Sequence, residues 1–177
     1  MEEMWVFGYG SLMWRPGFDY VEARHATLHG LHRRLCIFSH VHRGTPQRPG
    51  LVLGLDKGGS CKGMVFRVEP ASQAQVLAYL REREMMNGVY YEAMRRVRLD
   101  DGAGVEALCY CAVRGHAQYA PVMDLEATVQ QVHGAVGQSG PNEDYVLSTV
   151  EQIRQMGARD LALERVADAI RKITATS

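Results

Sequence analysis

The stretch Val89-Tyr90-Tyr91-Glu92-Ala93-Met94-Arg95-Arg96-Val97-Arg98-Leu99 is followed by Asp100-Asp101-Gly102-Ala103-Gly104, and then by Val105-Glu106-Ala107-Leu108-Cys109-Tyr110-Cys111-Ala112-Val113. Two runs rich in β-branched and aromatic residues, joined by residues that tolerate unusual dihedral angles, predict a β-hairpin. The upstream segments repeat that pattern. Residues 51–55 and 62–68 bracket Asp56-Lys57-Gly58-Gly59-Ser60, which has the spacing of a second hairpin with a glycine-rich tip. Met4-Trp5-Val6-Phe7 reads as a buried strand running into a glycine turn. After a mixed apolar and basic stretch from Val21, Leu35-Cys36-Ile37-Phe38 reads as another strand. Strands that cluster as hairpins, instead of alternating with helices, predict an α+β fold whose mixed or antiparallel sheet curls toward a barrel.

Helical periodicity enters at Ser72, an N-cap candidate preceded by Pro70. Val76, Leu77, Leu80 and Glu84 fall along one face, and the helix is expected to end near Met86-Asn87-Gly88. Beyond Pro121 the chain reads as helical at 125–136, 143–156 and 160–170, with glycine breaks between. A length of 177 residues, 46% of them hydrophobic, suffices for one core, so residues 1–177 are expected to form a single domain with flanking and C-terminal helices.

Twenty Lys and Arg residues balance twenty Asp and Glu residues, so no long-range field favours nucleic acid or an anionic membrane. A small-molecule ligand is the expected partner. No run approaches the roughly 20 apolar residues of a membrane span, and Met1-Glu2-Glu3-Met4-Trp5 does not read as a secretory leader. A cytoplasmic protein is the expectation. Cys36, Cys61, Cys109 and Cys111 read as reduced, buried thiols. Cys109 and Cys111 would share a strand face but lack further ligands for a metal. His40-Val41-His42 would set two imidazoles on one face of a strand, again without a third ligand. No metal is expected.

Three features carry possible chemistry. In Gly8-Tyr9-Gly10-Ser11-Leu12, two glycines let the backbone turn sharply and approach a ligand, with successive N–H groups available to a carboxylate or an oxyanion. An ordinary strand-ending turn has the same composition. Near the end of the helix, Glu84 continues the apolar stripe, whereas Glu82 lies about 200° round the axis from it at 3.6 residues per turn. Partial desolvation at Glu84 would raise its pKa and make it a better base, whereas a merely structural Glu84 would pair with Arg81 or Lys62. Finally, His42-Arg43-Gly44-Thr45 could set Arg43 against a ligand carboxylate, or leave it solvated on a loop.

Val6-Phe7-Gly8-Tyr9-Gly10-Ser11-Leu12, Arg43-Gly44-Thr45-Pro46, Tyr79-Leu80 with Arg83-Glu84, and Ser139-Gly140-Pro141-Asn142-Glu143-Asp144-Tyr145, in that order, resemble the ChaC family of γ-glutamylcyclotransferases from Trp5 to about Met156. The resemblance implies a curled mixed sheet with flanking helices and no cofactor. It implies cleavage of glutathione, or a related γ-glutamyl compound, to 5-oxoproline and a free amine, with Glu84 as the acid–base residue. It also implies that the turn from Val6 through Leu12 receives the γ-glutamyl group and that Tyr145 lies at the cleft. Some family members follow the Arg-Glu pair with Lys-Gly-Gly-Tyr. Here Met85-Met86-Asn87-Gly88-Val89-Tyr90 is longer, which bears on substrate choice. Two other readings stand beside this one: a cyclotransferase for other γ-glutamyl amines, and a non-catalytic module that captures a γ-glutamyl ligand.

Overall fold

The computed structural model describes residues 2–177. The elements run β1 (Met4–Gly8), α1 (Ser11–Trp14), β2 (Glu22–Ser39), β3 (Gly50–Val68), a 3-10 turn (Pro70–Ser72), α2 (Gln73–Glu84), β4 (Tyr90–Leu99) and β5 (Gly104–Ala112). They continue with α3 (Leu125–Val132), the short strands β6 (Val136–Gly137) and β7 (Gly140–Pro141), α4 (Asn142–Gln155) and α5 (Leu161–Thr176). The strands order as β1-β3-β2-β4-β5, closed into a barrel. Closure comes from a parallel pairing of β1 with β5, Trp5 against Ala107 and Val6 against Leu108, while β1–β3, β2–β4 and β4–β5 are antiparallel. The expected α+β class with a curled mixed sheet is therefore the one observed.

Two strand expectations need correction. Residues 51–68 do not form a hairpin: β3 is continuous from Gly50 to Val68. Gly58 (φ 106°) and Gly59 (φ 62°) occupy the left-handed region, where they bend the strand without reversing it, and the Gly58 carbonyl lies 3.0 Å from His32 Nδ1 on β2. The second strand is likewise far longer than residues 35–38. Its burial alternates on Ala26 and Leu28, then on Leu31, Arg33 and Leu35, because Gly30 at φ 92° inserts one residue and flips the parity. A reading that assumes one phase sees only mixture there. The β4–β5 hairpin and the helical C-terminal third fall close to their expected positions.

By internal packing the chain divides into two compact units, Met1–Arg33 with Gly54–His116, and Arg34–Leu53 with Ala117–Ser177. In the first, α2 lays Val76 and Leu80 against Val6, Leu12, Val68, Leu108 and Tyr110. Leu80 is fully buried, and truncating such a leucine to alanine costs about 2–5 kcal/mol. That packing fixes the rotation of α2 and hence the direction of the residues one turn later.

In the second unit, Val129, Val132, Val146, Val150, Ile153, Val166 and Ile170 bring α3, α4 and α5 together. Asp124 and Asp160 cap α3 and α5 by accepting from the Ala127 and Leu163 N–H groups at 2.8 and 3.0 Å. Asn142, at the start of α4, is fully buried. Its Oδ1 accepts from Leu51 N–H, and its amide donates to the Leu51 carbonyl, both at 2.8 Å, as a neighbouring strand would. Removing it would leave two buried backbone groups unpaired, at about 1–3 kcal/mol each.

Candidate active site

The turn after β1 is built by close backbone contact. A Cβ on Gly8 would meet Leu12 Cβ and Met13 N at 3.0 Å, so any side chain there would crowd the point where the chain folds back on itself. Val6, Phe7, Gly8, Tyr9, Gly10 and Leu12 are buried, while Ser11 is exposed. The turn leads into the single helical turn α1, in which Met13 N–H donates to the Gly10 carbonyl at 2.9 Å. Sequence reasoning missed Arg33, which is 8% exposed and sits behind this turn. Its Nε donates to the Tyr9 carbonyl at 2.5 Å, and its Nη2 donates to the Lys62 carbonyl at 2.8 Å.

The C-terminus of α2 is fastened to the same segment. Arg83 donates through Nη2 to Ser11 Oγ at 2.8 Å, and through Nη1 to the carbonyls of Arg15 and Pro16 and to the Tyr79 hydroxyl at 3.0–3.2 Å. Its Nε lies 3.3 Å from Glu84 Oε1. The Glu84 side chain is 16% exposed, whereas Glu82 faces solvent, so the helix phase inferred from Val76 and Leu80 is the one observed. Burial pushes the Glu84 carboxyl above its ordinary value, against the opposing pull of the Arg83 charge. Its place in the last turn of α2, at the negative end of the helix dipole, works in the same direction. Of the structural partners considered for Glu84, Arg81 turns elsewhere.

Arg81 holds Glu92 on β4 in a two-point pair, Nε to Oε1 at 2.8 Å and Nη2 to Oε2 at 3.1 Å. The buried Tyr110 on β5 donates its hydroxyl to Glu92 Oε1 at 3.0 Å. Hydrogen bonding from Arg81 holds the Glu92 carboxyl below its ordinary value, and the Tyr110 phenol is raised by burial and by the carboxylates of Glu92 and Glu84. Two carboxylates in one unit thus have proton affinities pushed apart, Glu92 downward and Glu84 upward. Neither Glu92 nor Tyr110 was singled out from sequence. Their partners come from another strand and from α2, and no local spacing announces such a triad.

Arg43 and Tyr145 meet in the second unit. The Arg43 guanidinium lies 5.5 Å from the centre of the Tyr145 ring, and its Nη1 donates to the Pro141 carbonyl at 3.2 Å. The Tyr145 hydroxyl accepts from Leu53 N–H at 3.0 Å. The Arg43 loop and the 139–145 segment, two parts of the sequence motif, are thus packed against one another. His40 and His42 do not share a strand face as expected. β2 ends at Ser39, and His42 Nδ1 turns to Ser139 Oγ at 3.1 Å.

The four cysteines are buried and form no disulfide, and burial raises the Cys109 and Cys111 thiols, which favours their protonated form. Among the described residues no group of three or more His, Cys, Asp or Glu side chains is placed to hold a metal ion. A cavity of about 500 Å³ in the first unit is lined by His29, Leu55, Asp56, Tyr91, Arg95 and Arg114 among others; its walls include neither Glu84 nor the glycine turn.

Residues 4–173 match the family model described as ChaC-like protein. A glutathione-specific gamma-glutamylcyclotransferase of Escherichia coli (strain K12) is 32% identical over 172 residues, 97% of this chain and 74% of that protein. Glutathione-specific gamma-glutamylcyclotransferase 1 of Homo sapiens is 31% identical over 175 residues, covering 96% of this chain and 79% of that protein. The solved structure of a yeast gamma-glutamyl cyclotransferase specific to glutathione superposes with a TM-score of 0.86 at 21% identity, covering 97% of each chain, and shares the fold.

Proposed function

The chain belongs to the ChaC-like protein family, and on that premise we propose that it is a γ-glutamylcyclotransferase that converts glutathione to 5-oxoproline and cysteinylglycine. The substrate supplies its own nucleophile. Its α-amine attacks the γ-carbonyl carbon and closes a five-membered ring. The C–N bond to the cysteine nitrogen then breaks, and the proton lost by the attacking amine ends on the departing one. The protein's task is to fold the substrate for attack, move that proton and stabilise the oxyanion.

Glu84 is the residue we assign to both proton steps, base first and acid second. The observation that carries the assignment is its largely buried carboxyl with raised proton affinity, next in sequence to an arginine bonded into the glycine turn. The N–H groups of Gly10, Ser11 and Leu12 are assigned to the glutamyl carboxylate or the oxyanion, with Val6, Phe7, Gly8 and Tyr9 shaping the pocket around them. Arg43 and Tyr145, which pack together in the second unit, are assigned the substrate-binding role that the family resemblance implies. The chemistry calls for no cofactor.

We read residues 1–177 as one catalytic domain, since the family match runs across both packing units. Cytoplasmic residence is proposed on four buried cysteines that form no disulfide, as suits a reducing compartment. Among the described residues no helix is long and apolar enough to cross a membrane. The test is direct: incubate the purified protein with glutathione, γ-glutamyl amino acids and γ-glutamylamines, and measure 5-oxoproline. Release from glutathione is expected. Product from another γ-glutamyl amine alone would move the substrate assignment, and none from any would favour a binding module.

A further inference from the structure

Arg33 is a charged side chain almost wholly buried, an expensive placement unless its hydrogen bonds are used. Its Nε is spent on one peptide, the Tyr9 carbonyl at 2.5 Å, while Nη2 is anchored on the Lys62 carbonyl at 2.8 Å and lies 3.6 Å from Met13 Sδ. The described chain has no cis peptide, so the Gly10 N–H points opposite to the Tyr9 carbonyl within the same planar unit. Fixing the Tyr9 oxygen on Arg33 therefore aims the Gly10 N–H away from the guanidinium. Gly10 is buried, and among the described residues its N–H meets no acceptor. Buried backbone donors are nearly always paired, so a donor left open in a turn fastened to the Glu84 helix is one kept for a ligand oxygen.

We infer that Arg33 is a positioning residue which, through the Tyr9 carbonyl, holds the Gly10 N–H on the oxyanion formed during ring closure. The inference rests on the cyclotransferase reading. Lysine at this position keeps the charge but cannot span two carbonyls with a rigid fork, and glutamine keeps a donor but not the charge.

The experiment compares wild type, Arg33→Lys and Arg33→Gln, measuring kcat and KM on glutathione, melting temperature, and the ¹⁵N–¹H signal of Gly10 during titration with 5-oxoproline. The expected result for Arg33→Lys is a kcat lowered about tenfold or more, with KM within about threefold and the melting temperature within a few degrees of wild type. The Gly10 signal should move with 5-oxoproline in wild type and respond less in the variant. A folded Arg33→Lys protein with wild-type kcat, or a loss confined to KM, overturns the inference. So does a wild-type Gly10 signal that ignores 5-oxoproline, which decides the matter even if both variants fail to fold. Wild type that forms no 5-oxoproline from any γ-glutamyl substrate would sink the functional reading itself, whereas active wild type beside normal Arg33 variants sinks only this inference.

Discussion

Two shielded glutamates sit near helix ends in this chain and behave oppositely. Glu164, in the first turn of α5, accepts from Arg159 at 2.7 and 3.1 Å and from Arg154 at 3.2 Å, and these bonds pull its carboxyl down to about 2. Glu84, in the last turn of α2, has one arginine at 3.3 Å, and burial drives it the other way. Both side chains are largely removed from water, so burial alone does not separate them. What separates them is the number of donors and the helix end each occupies: Glu164 sits at the positive end of its helix and Glu84 at the negative end of its own. A carboxylate held by several arginine donors is structural. One left short of donors keeps a proton affinity that a reaction can use.

The sharpest way to break the comparison is to neutralise each glutamate in turn. Glu84→Gln keeps shape and removes proton transfer, so turnover on glutathione should fall by roughly 10² or more while the melting temperature stays within a few degrees. Near-normal turnover would take Glu84 out of the reaction. Arg83→Met comes next. It loses the 2.8 Å bond to Ser11 and the charge that restrains Glu84, and should cost about tenfold in kcat/KM. The acid limb should move as well. A general base works in its deprotonated form, so activity falls as pH drops through the Glu84 pKa, and removing Arg83 raises that pKa and shifts the limb to higher pH. An unmoved limb would show that the Arg83 charge does not reach Glu84.

At Glu164 the effect should be on stability and not on rate. A carboxyl depressed from 4.5 to about 2 contributes stability that is present above the unfolded value and lost as pH falls from 4.5 toward about 2. Glu164→Gln should melt a few degrees lower at neutral pH, with a flatter pH dependence of melting across that acid window and unchanged kcat. Identical acid melting curves would deny the pairing. Smallest of all, Glu82→Gln should change kcat by less than about twofold, because that side chain faces solvent.

The sequence carried the phase of α2 because helical periodicity is local. Val76 and Leu80 face the core, so position 84 follows them inward and position 82 does not. The β4–β5 hairpin was legible for the same reason, its turn residues lying between two runs of strand character. Positive-φ glycines defeated the reading of β2 and β3. A glycine that bends a strand and one that reverses it look alike in sequence, and Gly30 changes the alternation on which burial is inferred. The partners of the site were hidden for a different reason. Arg33 with Tyr9, Arg81 with Glu92, and Tyr110 with Glu92 are separated by 24, 11 and 18 residues, contacts that only the closed sheet and the docking of α2 create.

The measurement that tests the account most directly is a side-chain carboxyl titration of the folded protein, following the ¹³C signals of Glu84 and Glu164 in one sample. Glu84 should titrate above the ordinary 4.5 of a glutamate and Glu164 at about 2. A Glu84 midpoint at or below 4.5 would contradict the account, since the residue would then be one more fixed anion with no proton to carry.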